Sequence, residues 1–216
     1  MIEQMNLERS SKLMADLTYN MSFTAGGLFF KEAPELAEIY FDFRNWSEVR
    51  KHVLSDNVLQ AKTNASSKRF IQEIIFRLEQ LNEDQLALLI SGSIQEKKYL
   101  LWYAACERHK FIKEFAIEVV REKFLHLNFK MTYKDFDIFY NAKAEWHDEL
   151  DNLKPTTVKK IRQVLFRMMR EADILLPDDS INSIHISPKL KQTFRSPKSS
   201  DFSIFPISDA DIKRLL

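Results

Sequence analysis

Glycine, cysteine and long apolar runs are all scarce in this chain of 216 residues. Only three glycines occur, which disfavours hairpin-rich β folds and glycine-rich phosphate-binding loops and favours helices. Because Cys106 is the single cysteine, no intramolecular disulfide can form, and a reducing compartment is indicated. We expect Cys106 to be a buried apolar residue. The longest aliphatic run, residues 86–90, is far shorter than the roughly 20 residues of a membrane-spanning helix.

The sequence also lacks a strong net charge and the short motifs typical of catalytic and cofactor-binding sites. The 32 Lys and Arg residues nearly balance the 31 Asp and Glu residues, so an electrostatic partner must be sought in local clusters. The N-terminus lacks the basic start and apolar run of a signal peptide, which predicts a cytoplasmic protein. No Walker loop, dinucleotide fingerprint or nucleophile elbow occurs, and His147 has no partner at metal-ligand spacing. We therefore predict a protein that is not an enzyme and has no cofactor, metal or small-molecule substrate.

The strongest positive feature is an internal repeat without gaps, at an offset of 90 positions. Residues 66–78 align with residues 156–168. Both segments open on hydroxyl residues, their apolar positions coincide, and both close on a Phe-Arg pair, Phe76-Arg77 and Phe166-Arg167. Two copies of one helical element within a chain indicate two similar modules.

The second copy predicts a strongly amphipathic helix. At about 100° per residue, its apolar residues share one face. They are Val158, Ile161, Val164, Leu165, Met168 and Ala172. Between residues 154 and 170 there are six basic residues and no acidic one. The opposite face and its edges carry Lys159, Lys160, Arg162, Gln163, Arg167 and Arg170, after the hydroxyls Thr156 and Thr157.

A helix that begins with hydroxyl and basic residues suits the second helix of a helix-turn-helix, whose side chains contact phosphates and base edges. We therefore predict contact with double-stranded DNA through the second copy and, more weakly, through the first, which also contains the acidic Glu73. The predicted contacts are Thr156, Thr157, Lys159, Lys160, Arg162, Gln163, Arg167 and Arg170, with Ser66, Lys68, Arg69, Gln72 and Arg77 in the first copy.

Two other interpretations stay open for these helices. Their basic faces can simply be solvated, or they can dock acidic protein, so that the chain would act as a protein–protein adaptor for other subunits. In that case Phe76 or Phe166 would be an anchor. We expect each phenylalanine instead to fill a side of its own module.

The predicted fold is all-α, with two helix-turn-helix-like modules. Residues 21–92 and 131–187 form these modules, and a central helical pair, residues 93–130, joins them. A small β-hairpin of residues 174–176 and 181–186 would be the wing of the second module. Residues 1–20 form an N-terminal lead, and residues 188–216 form a linker-like tail with a short terminal helix. Four local features support these boundaries: N-caps at Ser47, Asn82 and Thr132 and a first-turn proline, Pro34.

Three strings within residues 19–186 resemble the BrxA family of the bacteriophage-exclusion (BREX) defence systems. They are residues 22–28 (SFTAGGL), residues 111–116 (FIKEFA) with 120–124 (VREKF), and residues 141–147 (NAKAEWH). The resemblance implies a mostly helical, non-enzymatic, cytoplasmic component of a system that distinguishes host from phage DNA by methylation. It also implies affinity for double-stranded DNA and other BREX proteins as partners. It supplies no catalytic motif, so the DNA-contact residues rest on the helix faces.

Overall fold

The computed structural model describes residues 18–55 and 64–216, without the side chains of residues 64–67. Most of the predicted N-terminal lead, residues 1–17, lies outside these ranges. The chain is mainly helical, as predicted. A 3₁₀ turn, Ser22–Ala25, precedes α1 (Glu32–Phe43), α2 (Trp46–Ser55), α3 (Asn64–Leu78), α4 (Glu83–Ser91) and α5 (Ile94–Arg108). Then come α6 (Lys110–Phe115, continued by a π-helical segment, Ala116–Arg121, and by Glu122–Leu125), α7 (Tyr133–Ala144), α8 (Asp148–Asp151), α9 (Pro155–Glu171), α10 (Pro188–Gln192), α11 (Ser199–Phe202) and α12 (Asp209–Leu215).

Reciprocal side-chain caps define where several helices begin. At the start of α4, the Asn82 side chain accepts the Gln85 N–H at 2.9 Å, and the Gln85 side chain accepts the Asn82 N–H at 3.0 Å. Thr132 caps α7 in the same way, so both predicted caps are confirmed. The cap predicted at Ser47 is wrong. The side chain of Asn45 accepts the Ser47 N–H at 2.8 Å, and α2 therefore begins at Trp46, two residues earlier than a cap at Ser47 would place it.

The π-helical segment changes the face that α6 presents to the core. Up to Val120, the buried residues of α6 follow the 3, 4 spacing of one helical stripe: Ile112, Phe115, Ala116 and Val120. A π-helical turn holds more residues than an α-helical turn, so the residues after Ala116–Arg121 are rotated away from that stripe. In the sequence, Val120, Phe124 and Leu127 continue the 3, 4 spacing of this stripe, which predicts that Leu127 is buried. It is instead 76% exposed and has a left-handed backbone, with φ of 58°, beyond the end of the helix.

An aromatic cluster joins α6 to α7. The Phe111 side chain is fully buried, and its ring meets the rings of Tyr19 and Phe139 edge-on at centroid distances of 5.5 and 5.3 Å. The rings of Phe136 and Tyr140 are also within 6.3 Å of it. Edge-to-face packing of this kind adds to the burial of apolar area. Phe111 therefore anchors the central helices to the segment that precedes the 3₁₀ turn.

The C-terminal segment packs on the core, so the prediction of a linker after residue 187 is wrong. The Trp102 Nε1–H of α5 donates a hydrogen bond to the Ile204 carbonyl at 3.0 Å. Serine, proline and lysine dominate the composition here, but apolar residues spaced among them are buried. They are Leu190, Phe194, Phe202, Ile204, Phe205, Ile207 and Ile212.

Residues 174–182 form a tight turn. An antiparallel bridge joins Leu175 to Ile181 within the turn, and a second one joins Ser180 to Lys130 outside it. The Leu176 N–H donates to the Ser180 carbonyl at 2.8 Å, and the Ile181 N–H donates to the Phe129 carbonyl at 2.6 Å. No longer strand forms in residues 18–55 and 64–216. The wing and the module boundaries remain predictions. Within the described ranges, none of the helices combines the length and the apolar character that crossing a bilayer requires.

Replacing Phe111 tests the importance of the aromatic cluster. We expect Phe111→Ala to lower the free energy of unfolding by about 3–5 kcal/mol, because it opens a cavity between α6 and α7. Urea denaturation followed by circular dichroism measures this change. Ile138→Ala is the control. Its side chain is 60% exposed, so a change within about 0.5 kcal/mol is expected. Equal losses in the two variants would contradict the role of Phe111.

Candidate nucleic-acid interface

Helix α9 is buried along one face and exposed along the other. Ile161, Val164, Leu165 and Met168 are all buried, as the repeat predicted, and Val158 is half-buried. Pro155 occupies the first turn, where its missing N–H costs no hydrogen bond. The apolar stripe therefore fixes the rotation of α9 about its own axis, and with it the direction of every polar side chain that the helix carries.

The exposed face of α9 carries the predicted contacts at helical spacing. The exposed side chains, which we call the α9 surface, are Thr156, Lys159, Lys160, Gln163 and Arg167. In the part of the chain that the structure describes, Lys159 and Lys160 form no ion pair. Arg167 lies 3.6 Å from the Glu171 carboxylate, and both side chains are largely exposed. A surface pair of this kind contributes little stability, so Arg167 can exchange this partner for another anion.

The other two arginines of α9 are held by carboxylates. Arg162 Nη1 donates to both oxygens of Asp137 on α7, at 2.6 and 2.8 Å, and its guanidinium covers the Tyr133 ring. Arg170 forms an ion pair with Asp179 in the turn after α9, at 2.7 Å. These pairs attach α9 to its neighbours. Contact with an external phosphate would require each arginine to leave a carboxylate, so Arg162 and Arg170 are weaker candidates than Lys159 and Lys160.

Helix α3 repeats the buried stripe of α9 but not its surface. Ile71, Ile74, Ile75 and Leu78 are buried, at the positions that match the buried residues of α9. Lys68 and Arg69 are exposed, Gln72 is half-buried, and the Ser66 side chain lies outside the described residues. The first copy therefore offers a shorter basic surface, made by Lys68 and Arg69.

Arg77 lies inside the protein. Its side chain is 3% exposed. Arg77 Nε donates to the Glu73 carboxylate at 2.9 Å, and Nη1 donates to the Gly27 carbonyl at 2.7 Å. The guanidinium also lies over the Phe29 ring, 4.7 Å from its centroid. With these partners Arg77 cannot reach DNA in this conformation, and we leave it out of the candidate surface.

Glu73 is the centre of this buried polar network. Its second oxygen accepts the Ser22 hydroxyl at 2.9 Å, and its first oxygen lies 2.6 Å from His109 Nε2, at the junction of α5 and α6. Burial would raise the pKa of Glu73, but the hydrogen bond from His109 and the charge of Arg77 lower it to about 2. Burial also lowers the pKa of His109 and outweighs the opposing effect of Glu73. The network thus holds an ionised carboxylate inside the core.

The segment of residues 22–28 connects the two repeat helices. Its Gly27 carbonyl accepts from Arg77 of α3, and its Leu28 N–H donates to the Glu171 carboxylate of α9 at 2.7 Å. A Cβ atom at Gly27 would lie 2.3 Å from a Glu171 oxygen, so a larger residue would displace the carboxylate that accepts the Leu28 N–H. One short segment therefore holds the interior side of α3 and the C-terminal end of α9.

The two phenylalanines of the repeat both pack within the chain. Phe166 is 1% exposed, and its ring meets Tyr133 edge-on at 4.9 Å. Phe76 is half-buried, and the Arg108 guanidinium covers its ring at 4.4 Å. Phe166 packs against a residue of its own predicted module and is not available as an anchor for a partner, whereas Phe76 packs against Arg108 of the central helical pair. Cys106 is buried, as expected, and burial raises the pKa of its thiol.

The buried network was missed from the sequence, although one signal was present. Glu73 and Arg77 are four residues apart, and Phe70 and Phe76, three residues to either side of Glu73, lie beside it on the wheel. A charged pair flanked by aromatic residues can be covered by a neighbouring segment. Nothing in the repeat shows that residues 22–28 provide that cover.

Comparison with known proteins places this arrangement in one family. The family model described as BrxA matches residues 17–198. Two curated relatives are named "BREX protein BrxA". The one from Bacillus cereus (strain H3081.97) is 24% identical over 163 residues, covering 76% of this chain and 82% of the relative. The one from Escherichia coli O9:H4 (strain HS) is 25% identical over 168 residues, covering 76% of this chain and 78% of the relative.

A solved structure shares the fold. The crystal structure of an uncharacterized protein from Magnetospirillum magneticum superposes with a TM-score of 0.74 at 19% identity. The match covers 87% of this chain and 98% of that chain. At this level of identity, the likeness concerns the fold.

Replacing Glu73 tests the buried network and its pH dependence. The pKa of about 2 lies below the ordinary value of 4.5, so ionised Glu73 stabilises the fold above pH 4.5, and this contribution is lost as the pH falls towards 2. A shift of this size corresponds to about 3 kcal/mol. We expect Glu73→Gln to be about 3–5 kcal/mol less stable at pH 7, because Arg77 and His109 lose their charged partner.

Urea denaturation between pH 2 and pH 7 measures this dependence. In Glu73→Gln the loss of stability on acidification should be smaller than in the wild type by about 3 kcal/mol. Glu35→Gln, at an exposed site on α1, is the matched control and should follow the wild-type pH profile. If Glu73→Gln and the wild type lost the same stability between pH 4.5 and pH 2, Glu73 would not be the ionised centre of the network.

Proposed function

Because the chain belongs to the BrxA family, we propose that it is a component of a BREX phage-defence system that binds double-stranded DNA and catalyses no reaction itself. The names of the curated relatives support the role in BREX defence, together with other BREX proteins. The DNA contact is inferred from the α9 surface. Among the described residues, no group of three or more His, Cys, Asp or Glu side chains has an arrangement that could hold a metal ion.

The observation that carries the DNA contact is the row of outward side chains on a helix whose opposite face is buried. From Thr156 to Arg167 the row extends about 16 Å at 1.5 Å per residue. This length is comparable to the major groove, which is about 12 Å wide, so Arg167 at one end and Lys154, just before the other, can reach phosphates on either side. Lys159 and Lys160, which form no ion pair with any residue that the structure describes, lie between these ends.

The chemistry of this surface favours the sugar–phosphate backbone over base edges. Lys159 and Lys160 carry flexible point charges that pair with any phosphate. Arginine is the residue type that most often contacts guanine edges, but the guanidinium of Arg162 is ion-paired with Asp137. The proposed binding is therefore tolerant of sequence and is governed by the release of counterions. Lys68 and Arg69 on α3 would add a second, weaker contact.

Charge reversal on α9 tests the proposal. Four exposed cations at α9, Lys154, Lys159, Lys160 and Arg167, would contribute about −4 to the slope of log affinity against log salt. In the variant Lys159→Glu, Lys160→Glu and Arg167→Glu we expect binding to random-sequence duplex DNA to be lost, because three phosphate contacts become repulsive. Gel shifts and fluorescence anisotropy at 50 to 200 mM salt, roughly the range over which such binding changes most, measure both effects.

The matched control reverses three exposed lysines elsewhere, with Lys31→Glu, Lys189→Glu and Lys213→Glu. It changes the net charge equally and should retain the salt-dependent shift. Circular dichroism spectra of both triple variants should match the wild type. If the α9 variant bound DNA like the control, the placement on α9 would be wrong. A wild-type chain without any salt-dependent shift would favour the protein–protein adaptor instead.

A second pair of substitutions separates α3 from α9. We expect Lys68→Glu with Arg69→Glu to weaken DNA binding less than the α9 variant does and to reduce the salt slope by about 2, because two cations are removed. Anisotropy titrations across the same salt series give both values. An unchanged slope would remove α3 from the interface and leave α9 as the proposed contact.

A further inference from the structure

An extended segment with an unpaired backbone follows the turn after α9. In residues 183–186 the side chains alternate: Ile184 and Ile186 are buried, whereas Ser183 and His185 are exposed. None of these four residues forms a backbone hydrogen bond with another residue of the two described ranges. The alternation is typical of a strand, but the strand has no neighbour.

The chain is fixed on both sides of this segment. Before it, the Asn182 N–H donates to the Ile174 carbonyl at 2.9 Å. After it, the Ser187 hydroxyl donates to Glu96 at 2.6 Å, and the Ser187 carbonyl accepts from the Lys191 N–H at 2.9 Å. The segment is therefore held in place with its main-chain donors and acceptors free. Free edges of this kind accept an additional strand.

A cleft of about 350 Å³ runs beside the extended segment. Residues 183–186 line one side of it. The other side consists of Ile207, which is buried, and of Asp211, Arg214 and Leu215 on α12. A cleft between a free strand edge and a helix suits one extended chain, because the edge supplies main-chain hydrogen bonds and the helix supplies side-chain contacts.

The charges on the α12 side favour a carboxylate in the bound chain. The Arg214 side chain is 78% exposed, and its guanidinium pairs only with Asp211 of the same helix, at 3.1 Å, among the described residues. Such a surface pair contributes little and is easily exchanged. Lys191 adds a second cation at this end, because its Nζ donates to the Arg214 carbonyl at 3.1 Å.

We propose that this cleft binds an extended segment of a partner protein, which adds as a strand along residues 183–186 and places a carboxylate near Arg214. The site is independent of the DNA contact on α9. Its α12 side also lies beyond residue 198, where the match to the family model ends, so family membership does not account for it.

A phage-displayed library of random 12-residue peptides, panned against the full chain, tests the proposal. We expect enriched peptides with alternating apolar residues and at least one Asp or Glu. With such a peptide bound, hydrogen exchange resolved by residue should slow at alternate amides of residues 183–186, because strand pairing protects every second N–H. The corresponding amides of the free protein should exchange rapidly.

Matched variants locate the peptide. His185→Pro removes a donor from the exposed edge without breaking a hydrogen bond of the folded chain, and we expect at least about tenfold weaker binding. Arg214→Glu should lower the affinity for an acidic peptide by about fivefold. Lys213→Glu makes the same charge change on α12 outside the cleft and should leave the affinity unchanged. Thermal melts confirm that the three variants are folded.

Several results would overturn the proposal. These are the absence of any enriched peptide, protection that falls outside residues 183–186, and equal weakening by Arg214→Glu and Lys213→Glu. A two-chain mass in light scattering that His185→Pro reduces to one chain would assign the edge to a second copy instead. Slower exchange at these amides on addition of duplex DNA would assign it to nucleic acid.

Discussion

The carboxylate of Glu73 is the interaction on which the arrangement of the helices depends. It is buried, ionised and shared between Arg77 of the same helix, His109 at the α5–α6 junction and the Ser22 hydroxyl. Removing a charge from water costs several kcal/mol, and only a complete set of partners offsets this. The four groups therefore have to come together, and in doing so they fix α3, the α5–α6 junction and the segment of residues 22–28 against one another.

The two copies of the internal repeat share one helical pattern but have different surroundings. Both copies bury the same apolar stripe, so α3 and α9 dock in similar ways. The arginine that closes each copy has opposite surroundings: Arg77 completes an interior network, whereas Arg167 is exposed beside Glu171. Both copies therefore pack through the same apolar stripe, but most of the exposed basic side chains belong to the second copy.

Local physics made much of the fold predictable from sequence. The caps at Asn82 and Thr132, the buried stripes and the helical class follow from spacing and hydrogen-bonding capacity over a few residues. The errors came from contacts distant in sequence. Arg77 falls on a polar side of its wheel, but residues 22–28 cover it from 50 positions away. The segment after residue 187 has the composition of a linker, yet Phe202 and Phe205 are buried in the core.

The attachment of α3 and α9 to the same short segment has a consequence for the proposed DNA binding. Arg77 and Glu171 hold adjacent residues, Gly27 and Leu28, so the separation of the two basic surfaces is set by the backbone between them. A duplex that touched both surfaces would have to match this fixed separation, and any bending that the match required would occur in the DNA. The energetic cost would fall on the DNA, and flexible base steps would then be preferred at positions that no side chain reads.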